Sequence, residues 1–179
     1  MIEEEKESVR REMKEYRRSF TLSEKRRKDE IIFKKVTKNK RVIAEKKIGI
    51  YLSKEEEIDT KKIITQLLSM DKKVYIPKVI GDDLIFTHFD GNYSLLVKNR
   101  FNILEVDDKF AKDVDIDVLI LPALSVDKKG YRLGYGKGFF DRYLINKKVY
   151  SIALVYKRQI VNSLPSLCTD YKVDEYISD

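Results

Sequence analysis

The chain has 179 residues, 42% of them hydrophobic and 11% aromatic, enough for one domain spanning residues 1–179 with a real core, and this excludes an intrinsically disordered chain. Its longest apolar run, around Val118 to Val126, falls far short of the ~20 residues of a membrane span, and the opening MIEEEKESVRR is charged from its third residue without the apolar core of a signal peptide, so a cytoplasmic protein is expected. The net charge of +7 is unevenly placed: residues 1–47 carry 17 Lys and Arg against 10 Asp and Glu, whereas the remainder is balanced, so any attraction for RNA, an acidic membrane surface or a small polyanion resides in the first quarter.

Along that first quarter, Val9, Met13, Tyr16 and Phe20 recur at helical spacing, which predicts an amphipathic helix over Glu3 to Ser19 with these residues as its buried stripe. On an adjacent face Lys6, Arg10, Lys14 and Arg17 form a cationic ridge, which serves either to bind phosphates or as a solvated face paired with Glu3, Glu7 and Glu15. Thr21 with Glu24 is a capping-box pattern opening a second helix to about Lys38. Strand and helix then alternate: KIGIYL (47–52), a helix capped by Asp59 or Thr60 and running through Leu68, KVYIPKVI (73–80), a turn at 81–83 and LIFTHF (84–89). The acidic stretch Glu105 to Asp117 reads as a loop. The apolar runs DVLILPAL (117–124) and VYSIALVY (149–156) complete an α/β fold, an open, mainly parallel sheet flanked by helices on both faces.

In such a sheet ligands sit beyond the carboxyl ends of the strands, so Ser53 to Glu57, Lys78, Asp127 to Asp141, and Lys157 with Arg158 are expected to converge. Within this set the segment RLGYGKGFFDRYL (132–144) is the most informative in the chain. Gly134, Gly136 and Gly138 alternate with other residues, and glycines so spaced let backbone N–H groups approach an anion. Arg132 and Lys137 add fixed positive charge, Asp141 offers hard oxygen to a magnesium ion, and KGFFDRYL starts a helix whose N-terminus favours negative charge. The pattern is neither a dinucleotide fingerprint, which needs glycine where Phe139 stands, nor a Walker loop, which needs Ser or Thr where Gly138 stands. Glycines alone would serve a tight surface loop equally well; the charges favour a phosphate cradle. Cys168 is the only cysteine and His88 the only histidine, so an internal disulfide is excluded, and a Cys–His nucleophile or a zinc site is disfavoured.

LPALSVDKKGYRLGYGKGFFD, together with the early KESVR, the strand end YLSKEEEID and a late KVDE, resembles the 5-formyltetrahydrofolate cyclo-ligase family over nearly the whole chain. The shared signature is a strand ending at Pro122, then Asp127, Gly130, Arg132 to Gly138, two aromatics and Asp141. The resemblance implies a Rossmann-like α/β enzyme that uses MgATP to convert 5-formyltetrahydrofolate into 5,10-methenyltetrahydrofolate, ADP and phosphate. It implies ATP contacts from Lys6, Arg10 and the stretch Arg132, Leu133, Gly134, Tyr135, Gly136, Lys137, Gly138, Phe139 and Phe140, with Arg132 and Lys137 stabilising the transferred charge. It implies folate contacts from Leu52, Glu57 and the stretch Tyr135 to Phe139, and magnesium held by Asp141 and Asp174. The implied partners are small molecules, with a monomer and neither nucleic acid nor membrane. Ala123, Ser125 and Val126 depart from the family's commoner residues, and Phe139 and Phe140 stand where it usually has tyrosines. Two alternatives accompany this reading: phosphoryl transfer to another substrate on the same scaffold, and an RNA-binding module built on the basic helices.

Overall fold

The computed structural model describes residues 1–167 and 170–179, so Cys168 lies outside the described residues. In chain order the elements are α1 (Ile2–Arg18), α2 (Leu22–Thr37), α3 (Lys40–Ala44), β1 (Lys47–Ile50), α4 (Lys61–Ser69), β2 (Lys73–Ile80), β3 (Asp83–His88), β4 (Leu96–Lys98) and β5 (Leu104–Val106). There follow β6 (Val118–Pro122), β7 (Ser125–Asp127), β8 (Arg132–Leu133), α5 (Phe139–Asn146), β9 (Tyr150–Leu154), β10 (Ile160–Val161) and β11 (Glu175–Ile177). The central sheet runs in the order β11-β9-β6-β1-β2-β3, parallel throughout except for β3, which returns antiparallel to β2.

Both faces of this sheet are covered, which is why β6 reads VLILP with every residue buried. Val118 and Ile120 join a core with Ile32 and Val36 of α2, Val42 of α3 and Ile63, Ile64 and Leu67 of α4. Leu119 and Leu121 face the other way, against Tyr143 and Leu144 of α5 and Phe86 of β3. The strand period of two thus divides one apolar run between two cores. The α/β expectation holds, and so does the capping box: Thr21 accepts from the Glu24 amide at 3.2 Å while Glu24 accepts from the Thr21 amide at 2.9 Å.

Three features differ from the sequence reading. The acidic stretch is only partly loop, because Glu105 and Val106 belong to β5, which pairs antiparallel with β4. The segment between β6 and α5 folds into β7 and β8, and these form a small sheet with β10. Both sets of strands are too short for a recognisable alternation. Finally, the most buried positions of α1 are Lys6, Arg10, Met13 and Arg17, while Val9 and Tyr16 are only half-buried. Met13 is buried and Tyr16 and Phe20 pack against the core as expected, but the adjoining cationic side is buried too, so hydrophobic periodicity found only one of the two packed sides of this helix.

Candidate active site

The glycine loop takes its shape from Arg132. This residue ends the short β8 pairing and turns its side chain back beneath the loop, where Nη1 donates to the Pro122 carbonyl at 3.1 Å and Nη2 to Oδ2 of Asp141 at 2.9 Å. The return path passes Gly134 so closely that a Cβ there would lie 2.5 Å from Arg132 Nη1. Gly136 and Gly138 adopt φ of +97° and +67°, conformations that L side chains rarely enter. Gly138 then stands at the N-cap of α5, and Asp141 falls in the first turn.

Helix α1 lies against this loop through its buried cations. Arg10 donates from Nε to the Gly134 carbonyl at 3.1 Å, and its guanidinium lies 3.4 Å from where a Gly136 Cβ would be. Arg17 donates to the Tyr135 hydroxyl at 2.8 Å and to the Ala123 carbonyl, joining α1 to the loop and to the end of β6. Lys6 pairs with Asp170 at 2.7 Å. A solvated ridge is therefore excluded for Lys6, Arg10 and Arg17: they are 4%, 8% and 4% exposed.

Across from the loop, the end of β1 continues into a turn fixed by reciprocal bonds, Ser53 N to Thr60 Oγ1 at 3.0 Å and Thr60 N to Ser53 Oγ at 3.1 Å. The turn buries Glu57, whose Oε2 accepts from the Lys54 amide at 2.7 Å. Tyr135 lies between Glu57 and Arg17; burial foremost, then the Glu57 charge, holds its hydroxyl well above the ordinary tyrosine range, so it is a neutral hydrogen-bonding group. Between loop and turn lies a cavity of about 450 Å³. Leu52, Glu57, Lys6, Arg10 and every residue from Arg132 to Asp141 line it. The opposite wall is mostly apolar, with Pro77, Val79, Phe101, Ile103 and Leu104, and Asn99 and Glu105 at its base. Phe101 packs edge-on to Phe139 at 5.8 Å, and Lys137 Nζ stands 5.9 Å from the Phe101 ring. One side thus suits phosphate and the other a flat ring system.

Asp141 fits a magnesium ion on one observation: its Oδ1 is buried and meets no partner among the described residues, while Oδ2 is held by Arg132. A single carboxylate is an ordinary protein contribution to Mg²⁺, which takes its other ligands from phosphates and water. The second expected ligand, Asp174, stands away from the first. Asp174 does not line the cavity; its carboxylate accepts from the Ser151 amide at 2.8 Å and hydroxyl at 2.7 Å, at the start of β9, whereas the cavity lies beyond the carboxyl ends of the strands. Both bonds from Ser151 fall on Oδ2 and tie the start of β11 to β9. Among the described residues no group of three or more His, Cys, Asp or Glu side chains is arranged to hold a metal. Lys157 and Arg158 also stand outside the cavity, and Lys78 is absorbed by an ion pair. Asp127 is buried and accepts from the amides of Lys129, Tyr131 and Leu164, which holds the β7–β8 turn. His88, exposed at the end of β3, packs edge-on against Tyr75, with ring centres 5.7 Å apart.

One contributor escaped the sequence reading: the β4–β5 hairpin supplies the aromatic wall. Arg17, expected as part of the cationic ridge, anchors Tyr135 instead of lining the cavity.

An open, mainly parallel sheet with a cationic glycine loop and an apolar wall meeting beyond its strand ends defines an α/β enzyme for an anionic, ring-bearing small molecule. The family model for 5-formyltetrahydrofolate cyclo-ligases matches residues 2–179. Among curated proteins, the mouse 5-formyltetrahydrofolate cyclo-ligase is 30% identical over 187 residues, covering 96% of this chain and 92% of its own. The Escherichia coli K12 protein of the same name is 35% identical over 128 residues, covering 66% and 69%. The solved structure of Aquifex aeolicus 5,10-methenyltetrahydrofolate synthetase superposes with a TM-score of 0.84 at 26% identity, covering 96% of this chain and 88% of that one. The chain belongs to the 5-formyltetrahydrofolate cyclo-ligase family and carries that family's ATP-dependent ligase activity.

Proposed function

We propose that the cavity closes 5-formyltetrahydrofolate to 5,10-methenyltetrahydrofolate at the expense of ATP, with the folate ring against Leu52, Glu57 and the Phe101 wall and the triphosphate along the glycine loop. The observation that carries this reading is the single continuous cavity that joins Glu57 to Arg10, Arg132 and Lys137. Such an arrangement places a phosphoryl donor and a ring-bearing acceptor side by side, which is most of what phosphoryl transfer asks of a protein.

The formyl oxygen attacks the γ-phosphorus; the bond to the bridging oxygen breaks and ADP leaves. The neighbouring anilino nitrogen then adds to the activated carbon, closing the ring, and phosphate departs as that nitrogen loses its proton. No protein nucleophile is required. Arg132 and Lys137 neutralise the charge that spreads over the transferred oxygens, and Arg132 is preorganised for this by its bonds to Pro122 and Asp141. Lys6 and Arg10 take the outer phosphates, Lys6 exchanging its bond to Asp170 for one to the nucleotide. Glu57 accepts hydrogen bonds from ring N–H groups, and the neutral Tyr135 hydroxyl, held by Arg17, borders both ligands. Asp141 would hold magnesium, which when bound shields the phosphate charge and orients the γ-phosphoryl group.

The same reading takes the enzyme as a one-domain cytoplasmic monomer with small-molecule partners. The RNA-binding alternative fits poorly with burial of Lys6 and Arg10 at the cavity and of Arg17 beside Tyr135, since phosphate-backbone binding draws on exposed cations. Mixing the protein with 5-formyltetrahydrofolate and MgATP and following the near-ultraviolet band of the methenyl bridge tests the proposal. Growth of that band only when ATP is present is expected; silence from a folded protein that binds ATP would move the activity to another acceptor.

A further inference from the structure

A buried ion pair is built into the wall opposite the glycine loop, where Glu105 and its neighbour Asn99 reach the cavity lining and Lys78 stands behind them, and the reaction above makes no use of it. Lys78 on β2 is 1% exposed, and its Nζ meets Oε1 of Glu105 at 2.8 Å, the Val106 carbonyl at 2.9 Å and Oδ1 of Asp108 at 2.7 Å. The second oxygen of Glu105 accepts from Asn99 Nδ2 at 2.7 Å and from the Val79 amide at 3.3 Å. Asn99 Oδ1 in turn accepts from the backbone amides of Phe101 at 2.9 Å and Ile103 at 3.1 Å. An unbroken hydrogen-bonded chain thus runs from the central sheet to the turn that carries Phe101, Ile103 and Leu104 into the cavity.

The hairpin depends on this chain. β4 and β5 have three residues each and form a two-stranded sheet, a size that is not stable by itself. Burial acts to lower the Lys78 pKa, but the hydrogen bonds from its ammonium to Asp108 and Glu105 outweigh it and hold the group above the usual lysine range. Lys78 is therefore charged at neutral pH. An apolar pair of similar volume would hold two strands together about as well, so what the charges add is a fixed geometry.

We propose that Lys78 and Glu105 are positioning residues: their ion pair sets the height of the Phe101 turn over the glycine loop and thereby the enzyme's affinity for the ring end of its folate substrate. The inference rests on the cavity being the folate pocket.

Lys78→Met alone would leave Glu105 buried without its partner and could unfold the chain, so the test uses the double variant K78M/E105L, with K78R as the conservative control. The double variant is expected to melt within a few degrees of the parent. Its KM for 5-formyltetrahydrofolate should rise about tenfold, with kcat and the KM for ATP within about twofold. K78R should restore most of the folate affinity. Adding F101A to the double variant should raise the folate KM no further than F101A alone, because both changes act through one ring. An unchanged folate KM in K78M/E105L, or an effect that multiplies with F101A, overturns the proposal. Should the parent enzyme itself not turn over 5-formyltetrahydrofolate, the functional reading fails, and amide hydrogen exchange tests the positioning role independently. Exchange at Phe101 and Ile103 at least about tenfold faster in K78M/E105L, with β1 and β6 unchanged, supports it. Unchanged exchange at those two amides overturns it.

Discussion

The Arg132 guanidinium holds one oxygen of Asp141 at 2.9 Å, and the other oxygen of that carboxylate is buried without a partner among the described residues. A buried acceptor in that condition carries an energetic penalty unless something binds it, so the free oxygen marks where the site expects a cation or a donor. Asp141→Asn keeps an acceptor for Arg132 and removes the charge. Turnover should fall about 100-fold, melting should shift by only a few degrees, and excess magnesium should not restore the rate. Assays across a magnesium series decide this, and a near-normal rate would show that the carboxylate is dispensable.

Lys137 is exposed, makes no salt bridge among the described residues and sits above the Phe101 ring. Its removal costs the fold nothing that the structure displays. Lys137→Ala should therefore lower turnover by about 10²- to 10³-fold while thermal melting stays within about 1 °C of the parent. Intact activity in this variant would strip Lys137 of its role in transfer.

Two glycines separate backbone strain from site geometry. At Gly81, with φ of +59°, an added Cβ meets nothing within 4 Å, so Gly81→Ala should cost about 1 kcal/mol by conformation alone and leave turnover unchanged. At Gly134 the same atom would collide with Arg132 Nη1. Gly134→Ala should displace Arg132 from Pro122 and Asp141 and lower kcat at least about tenfold. Comparing kcat and melting of the two variants tests the assignment, and equal kcat values would sink it.

Alkaline stability should be governed by buried tyrosines. Burial foremost raises the hydroxyls of Tyr51 and Tyr156, with nearby Glu57 adding to the first and Asp29 to the second. A folded-state pKa above the unfolded value means that the folded form binds the proton more tightly. The associated stability is complete below about pH 10, the unfolded tyrosine value, and is lost as pH rises beyond it. Tyrosinate absorbance should then appear for these groups together with unfolding. A smooth titration of all eleven tyrosines near pH 10 in a protein that remains folded would contradict this.

The glycine loop was legible because conformational freedom and fixed charge are written in residue type: Gly134, Gly136 and Gly138 beside Arg132 and Lys137 need no knowledge of the fold to suggest an anion. The burial of the cationic side of α1 was legible only in part, since the spacing showed the ridge without showing what it packs against. Periodicity assigns apolar residues inward, yet Lys6, Arg10 and Arg17 are buried because the Gly134 carbonyl, the Tyr135 hydroxyl and Asp170 lie more than a hundred residues away and satisfy them. Asp174 shows the converse: a carboxylate expected at the metal lies outside the cavity, with its Oδ2 bonded to Ser151.

By itself the sequence determined the α/β class, the order of the main strands and the chemistry of the loop, since these follow from local periodicity, capping and residue type. Which cations face the cavity, where the aromatic wall comes from and which carboxylate keeps a free oxygen were decided only by the tertiary structure. Each depends on a partner distant in the chain, and whether a buried charge is tolerated depends on the partner that meets it.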